Sequence, residues 1–133
     1  DGGLMVHELM PALKTGKTLI SGSWDVEVVE ELAPVDGDFI IDKNRPSSFF
    51  GTNLDATLKN LHVENLIVCG VTTNCCVETT VRDASQRDYR TFVVGDAVAE
   101  YEDDRHEIAL RSMAMLFAHV VTTADIEEAW KSR

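Results

Sequence analysis

The sequence predicts an α/β protein in three layers, α-β-α, with helices on both faces of a mostly parallel sheet. Three observations predict it. Short apolar runs alternate with segments of helical spacing. The runs are continuous, without the polar-apolar alternation of a half-exposed strand, as expected for strands covered on both faces. And a chain of 133 residues, 44% of them hydrophobic, can enclose a core. Parallel neighbours need a crossover helix, and such crossovers run right-handed.

The elements follow in order. Residues Asp1 to Thr18 carry Gly2, Gly3, Pro11 and Gly16 and read as irregular, with a turn or short helix around His7–Leu13. Val26, Val28, Val29 and Leu32 precede Pro34, and Asp36-Gly37-Asp38 marks a turn. Phe39-Ile40-Ile41 then reads as a buried strand. Leu54, Leu58 and Leu61 recur at helical spacing over Asn53–His62. Leu66–Gly70 is a second strand, Cys75–Arg87 a helix, and Thr91–Val94 a third strand ending at Gly95-Asp96. Arg105–Phe117 is a helix with Ile108, Ala109, Met113, Leu116 and Phe117 on one broad face, and His119–Val121 a fourth strand. Thr123 is placed to cap a last helix reaching Trp130, with Asp125 and Glu127 in its first turn.

Composition excludes several function classes. Twelve Lys and Arg against 23 Asp and Glu give a net charge of −11, so a nucleic acid partner is not expected. No apolar run approaches the ~18 residues of a membrane span, and no signal-peptide pattern opens the chain, so no membrane partner is expected either. The three cysteines, Cys69, Cys75 and Cys76, are an odd number in one short stretch, which is no disulfide framework. They fit a reduced, cytoplasmic protein. No Cys/His cluster has metal spacing, and His7, His62, His106 and His119 read as surface or satisfied core histidines; no metal and no cofactor is called for.

In parallel sheets the ligand site lies outside the carboxyl ends of the strands. That rule selects the residues just after Ile41, Cys69 and Val94. Lys43 follows the first of these; a lysine there is commonly solvated, but beside a thiol it would hold the thiolate by charge. After Cys69 the backbone turns and a helix starts near Cys75 and Cys76. A helix N-terminus favours a thiolate and offers N–H groups to a developing oxyanion. From spacing alone, two inert buried thiols account for the pair more economically. Asp96 either faces the site or satisfies loop amides, and Trp24, Phe49 and Phe50 either wall an apolar pocket or belong to the core.

Two segments carry a resemblance. "DKNRPSSFFGTNLD" resembles the lysine–Ser–x–Phe–x–x–Thr–x–Leu block of the isochorismatase-like cysteine hydrolase superfamily, and "CGVTTNCCVETTVRDA" resembles its Gly–Val–x–Thr–x–x–Cys–Val–x–x–Thr–x–x–Asp–Ala block. Their mutual spacing fits, one helix and one strand apart. "VVGDAVA" and Ser21-Gly22-Ser23-Trp24-Asp25 match more weakly. The members it looks most like are amidohydrolases of N-carbamoyl and ureido compounds, with nicotinamidases more distant. The resemblance turns the balance towards a reactive thiol. It implies Cys76, the cysteine before Val77, as nucleophile, Lys43 as catalytic lysine, and the backbone N–H groups of Thr72 and Cys76 as oxyanion hole, with a cis peptide bond before Thr72. Phe49, Trp24 and Asn74 are assigned to substrate binding.

The family's catalytic aspartate stands in a hydrophobic–Asp–x–Gln segment that this sequence lacks, and Asp1, before Gly2-Gly3, does not match it. The expectation is therefore one isochorismatase-like domain over residues 1–133, the C-terminal two-thirds of a larger enzyme and incomplete at its N-terminus, with any metal ligands of relatives outside this sequence. The implied activity is hydrolysis of a small-molecule C–N bond through a thioester, by a homo-oligomer. The alternatives are an isochorismatase-type vinyl ether hydrolase, which Cys76 argues against, a nicotinamidase, or a non-catalytic interaction module.

Overall fold

The computed structural model describes residues 3–16 and 18–132, in two compact units, one ending at Asn44 and the other starting at Arg45. Asp1, Gly2 and Lys17 of the expected irregular start lie outside the described residues.

The first unit is made of short helical pieces. A π-helical turn spans Met5–Leu9, and α1 (Pro11–Gly16) opens on Pro11, where a missing N–H breaks no helical bond. Single 3₁₀ turns follow at Trp24–Val26 and Glu30–Leu32. The expected turn before Phe39 is present: the Asp38 N–H donates to the Val35 carbonyl at 3.1 Å, and the Val35 N–H to the Asp38 carboxylate at 2.9 Å. The strand expected at Phe39-Ile40-Ile41 is not. Among the described residues these pair with no neighbouring strand, and Phe39 and Ile40 are exposed. An apolar run is a local signal, but a strand exists only where a second edge takes up its N–H and C=O groups. Lys43 therefore follows no strand, and it is exposed.

The second unit holds the sheet. Its strands are β1 (Asn65–Val71), β2 (Arg90–Ala99) and β3 (His119–Val121), in the order β1-β2-β3 and all parallel. Between them run α3 (Glu78–Ser85) and α4 (Asp103–Leu116); α2 (Leu54–Asn60) precedes β1 and α5 (Thr123–Lys131) follows β3. Each sits within two residues of the sequence expectation, with two exceptions: α3 starts at Glu78 rather than Cys75, because a separate turn over Thr73–Val77 precedes it, and β2 continues to Ala99 rather than stopping at Gly95. A Cβ on Gly95 would meet Val120 Cγ1 at 3.3 Å, so the glycine lets β2 run close beside β3 instead of ending it. The β1–β2 register shifts between Val68 and Gly70, at the residue whose φ of 116° suits glycine best.

Two clusters form the core. Val77, Val81, Val93, Val98, Ala109 and Met113 make one; Phe49, Ala84 and Tyr89 make the other, flanked by Leu54, Leu58 and Leu66. The inward face of α4 is narrower than expected. Ala109 and Met113 are buried, with Leu110 and Phe117 against them, while Ile108 and Leu116 are exposed. Ile108 stands at the edge of the predicted arc, and Leu116 is the last residue of the helix, so neither is covered by the sheet face. Arg82 ties α3 to α4: it pairs with Glu78, donates to Ser112 Oγ at 2.7 Å and lies 4.1 Å over the Phe117 ring. Coverage on both faces fails at β1: Leu66 and Val68 are half-buried, while the alternate residues Ile67, Cys69 and Val71 are exposed. The last helix is capped by Thr122, not Thr123. Thr122 Oγ1 accepts the Asp125 N–H at 3.2 Å, and the Asp125 carboxylate accepts the Thr122 N–H at 2.7 Å.

Candidate active site

Strand β1 delivers its carboxyl end to the segment Val71–Val77. The Val71–Thr72 peptide bond is cis, as the resemblance implied. Thr72 is extended (φ −93°, ψ 151°), and the chain then closes a π-helical turn over Thr73–Val77 before α3. The Thr72 carbonyl accepts the N–H of Cys75 at 3.2 Å and of Val77 at 3.1 Å, and the Thr73 carbonyl accepts the N–H of Glu78. Bonds from residue i+5 back to i widen this turn by one residue relative to an α-helix, a geometry that recurs at functional sites.

Burial orders the turn. Thr73 and Val77 face inward and are buried, with Val77 in the larger core cluster; Asn74 is exposed, and Cys75 and Cys76 are half-buried. The sulfurs thus stand at the boundary between core and surface. All three cysteines are outside any disulfide. Two side chains from beyond β2 reach the turn. His106 of α4 places Nδ1 2.9 Å from the buried Thr73 hydroxyl, and the Glu100 carboxylate accepts the Asn74 N–H at 3.4 Å.

The segment before α2 is fastened to the helix that follows the cysteines. The Ser48 N–H donates to Thr80 Oγ1 at 3.0 Å, and the Ser47 hydroxyl donates to the Asp83 carboxylate. Arg45, Pro46, Ser47, Phe50, Thr79 and Asp83 line a cavity of about 220 Å³ there, on the face of α3 one turn beyond Cys75. A larger cavity, about 390 Å³, opens at the amino ends of β1 and β2 beside Glu64, Asp88 and Arg90. That is the end of the sheet where parallel folds do not place their ligands, so its size does not make it the site.

The structure therefore gathers Thr72, Asn74 and Cys76 into one turn. Phe49 lies in the core, stacked on Tyr89 with ring centroids 5.9 Å apart and with the Arg87 guanidinium 4.9 Å from its own centroid. Trp24 and Lys43 belong to the unit ending at Asn44, where both are exposed. Asp96 takes the quieter of its two readings. Its carboxylate accepts the Thr123 hydroxyl at 2.7 Å and the Thr123 N–H at 2.9 Å, and those bonds, the hydroxyl's first, hold its pKa below the usual 3.8. Sequence reasoning missed the Thr73–His106 contact and the widening of the turn. The two residues are 33 apart in the chain and no local pattern joins them. Among the described residues, no group of three His, Cys, Asp or Glu could hold a metal ion, and no helix is long and apolar enough to cross a membrane.

The sheet is a parallel α/β one with a cysteine turn at the carboxyl end of β1, and comparison with known proteins says to which family this architecture belongs. Residues 6–125 match the isochorismatase domain, and the chain belongs to that family. It is 38% identical over 113 residues to ureidoacrylate amidohydrolase RutB of Caulobacter vibrioides, covering 84% of this chain and 50% of that protein. With the Enterobacter RutB it shares 37% identity over 115 residues, 86% of this chain and 50% of the relative. The chain spans about half the length of the curated relatives it matches. Among solved structures, a cysteine hydrolase from Pseudomonas syringae superposes with a TM-score of 0.87 at 37% identity, over 98% of this chain and 65% of that one. N-carbamoylsarcosine amidase from Thermoplasma acidophilum gives 0.74 at 31% identity, over 84% and 64%.

Proposed function

We propose that this chain carries the nucleophile of a cysteine-dependent amidohydrolase acting on the C–N bond of small ureido or N-carbamoyl compounds. The observation that carries the reading is the half-buried Cys76 in a widened turn at the carboxyl end of β1. The names of the relatives, ureidoacrylate amidohydrolase and N-carbamoylsarcosine amidase, support the substrate class.

In this reading the Cys76 thiolate attacks the carbonyl carbon. The N–H groups of Thr72 and Cys76 receive the oxyanion, and one such donor is worth ~3–4 kcal/mol in the transition state. A general base takes the thiol proton and returns it to the leaving nitrogen, which departs as ammonia or an amine. A thioester remains, and water releases the acid. Lys43 is proposed to hold the thiolate by charge, and Trp24, Phe49 and Asn74 to serve substrate binding. The chain is proposed as part of a cytoplasmic homo-oligomeric enzyme, residues 1–133 forming the C-terminal two-thirds of one domain.

The test is ammonia release from ureidoacrylate-type substrates and nicotinamide by the wild type, Cys76→Ala and Cys75→Ala. Loss of turnover in Cys76→Ala, with Cys75→Ala active, is expected. Turnover that survives Cys76→Ala contradicts the mechanism, and loss in Cys75→Ala alone moves the nucleophile to the neighbouring sulfur.

A further inference from the structure

We propose that His106 is a positioning residue for the nucleophile turn, acting through the buried hydroxyl of Thr73; the inference rests on Cys76 being the nucleophile. Thr73 is the first residue of the widened turn and is fully buried, and its hydroxyl lies 2.9 Å from His106 Nδ1. A buried hydroxyl left without a partner is costly, so this contact selects the orientation of Thr73. Thr73 is also tied from its other side, because its carbonyl accepts the Glu78 N–H that closes the turn. Asn74, Cys75, Cys76 and Val77 lie between Thr73 and Glu78, within the loop these bonds close. Fixing Thr73 therefore fixes where the Cys76 sulfur and N–H point.

A second observation comes from the same stretch of chain. Glu100, six residues before His106, reaches the next residue of the turn at the Asn74 N–H. The segment between β2 and the second turn of α4 thus grips two successive residues at the start of the turn, while Val77 anchors its far end among Val81, Ala109 and Met113. His106 is half-buried and touches the turn at Thr73, two residues short of the cysteines, so its part is orientation rather than chemistry. α4 presents the imidazole to Thr73 and its apolar stripe to Val77, so one helix fixes both ends of the turn.

The experiment compares His106→Leu, His106→Asn, Thr73→Val and the double variant His106→Leu/Thr73→Val. Asparagine keeps a polar nitrogen or oxygen in the place of Nδ1; leucine does not. A displaced nucleophile costs turnover rather than affinity, so His106→Leu and Thr73→Val are expected to lower kcat about tenfold or more with KM within about twofold. His106→Asn is expected to restore kcat, and the double variant to be no worse than either single. Hydrogen exchange read at the amides of Cys75, Cys76 and Val77 supplies a measurement independent of turnover: faster in His106→Leu, at the wild-type rate in His106→Asn. Wild-type kcat and exchange in His106→Leu, equal impairment in His106→Asn, or penalties that multiply in the double variant would overturn the inference. Turnover that survives Cys76→Ala yet falls in His106→Leu would overturn the nucleophile reading on which it stands; turnover lost in Cys76→Ala and untouched in His106→Leu would overturn the positioning role alone.

Discussion

Leu66-Ile67-Val68 and Phe39-Ile40-Ile41 are apolar runs of the same length and kind, one in each compact unit, and only the first is a strand. Leu66-Ile67-Val68 pairs residue by residue with Thr91-Phe92-Val93 of β2. Phe39-Ile40-Ile41 has no such partner among the described residues, and Phe39 and Ile40 stay exposed. The contrast extends to the whole of each unit. Every buried residue among those described lies from Ser47 onward, whereas Trp24, Leu32, Phe39 and Ile40 in the first unit are all exposed. Apolar composition is common to both regions. What separates them is a paired edge, which turns apolar residues into a sheet and the end of a strand into a place for a site.

The sharpest way to break this comparison is to truncate one apolar side chain in each unit. Met113→Ala, at a fully buried position, is expected to destabilise by about 2–5 kcal/mol in urea unfolding, because transfer and cavity terms add. A loss under ~1 kcal/mol would show that the core assigned to the second unit does not carry its stability. At the caps the expected effect is smaller. Thr122→Ala removes the hydroxyl of the capping box and should cost about 1 kcal/mol, whereas Thr123→Ala leaves the box intact. Thr123→Ala instead loses the hydroxyl's bond to Asp96, so the cap assignment is contradicted by a Thr122→Ala variant as stable as the wild type.

Acid sensitivity gives a third handle. The Asp96 and Asp125 carboxylates are held below their usual 3.8 by the hydroxyls and N–H groups of Thr123 and Thr122 respectively. Folding thus favours their charged forms. Their contribution is present above the usual carboxylate value and fades as the pH falls through the lowered one. Asp96→Asn should therefore lose less Tm than the wild type on going from pH 6 to pH 3; an unchanged acid limb would show that these bonds do not favour the charged carboxylate. The smallest effect belongs to the first unit. Ile40→Ala should change stability by less than ~0.5 kcal/mol, and a cost like that of Met113→Ala would show that Ile40 is covered.

The helices and strands of the second unit were readable in the sequence because period and turn residues are local signals. Leu54, Leu58 and Leu61 announce α2, and Gly70 and Gly95 bracket the turns near the strand ends, though Gly95 proved to permit a close strand rather than to stop one. The position of the thiol turn was readable too, from the block around Cys76. What was not readable is tertiary. Nothing in Thr72-Thr73-Asn74 announces a carbonyl accepting from five residues ahead, and nothing near Thr73 points to His106. Thr122 and Thr123 are chemically alike, and only the fold decides that one caps α5 while the other binds Asp96. The width of the buried face of α4 depends on how much sheet lies beneath it, which periodicity does not report.

Cys76, not its neighbour, is proposed to bond covalently to the substrate carbonyl. Rapid acid quench of a turnover mixture with a ureido substrate, followed by peptide mass spectrometry, tests it most directly. An acyl adduct on Cys76 is expected, absent in Cys76→Ala and retained in Cys75→Ala. An adduct on Cys75, or steady turnover in Cys76→Ala, would contradict it.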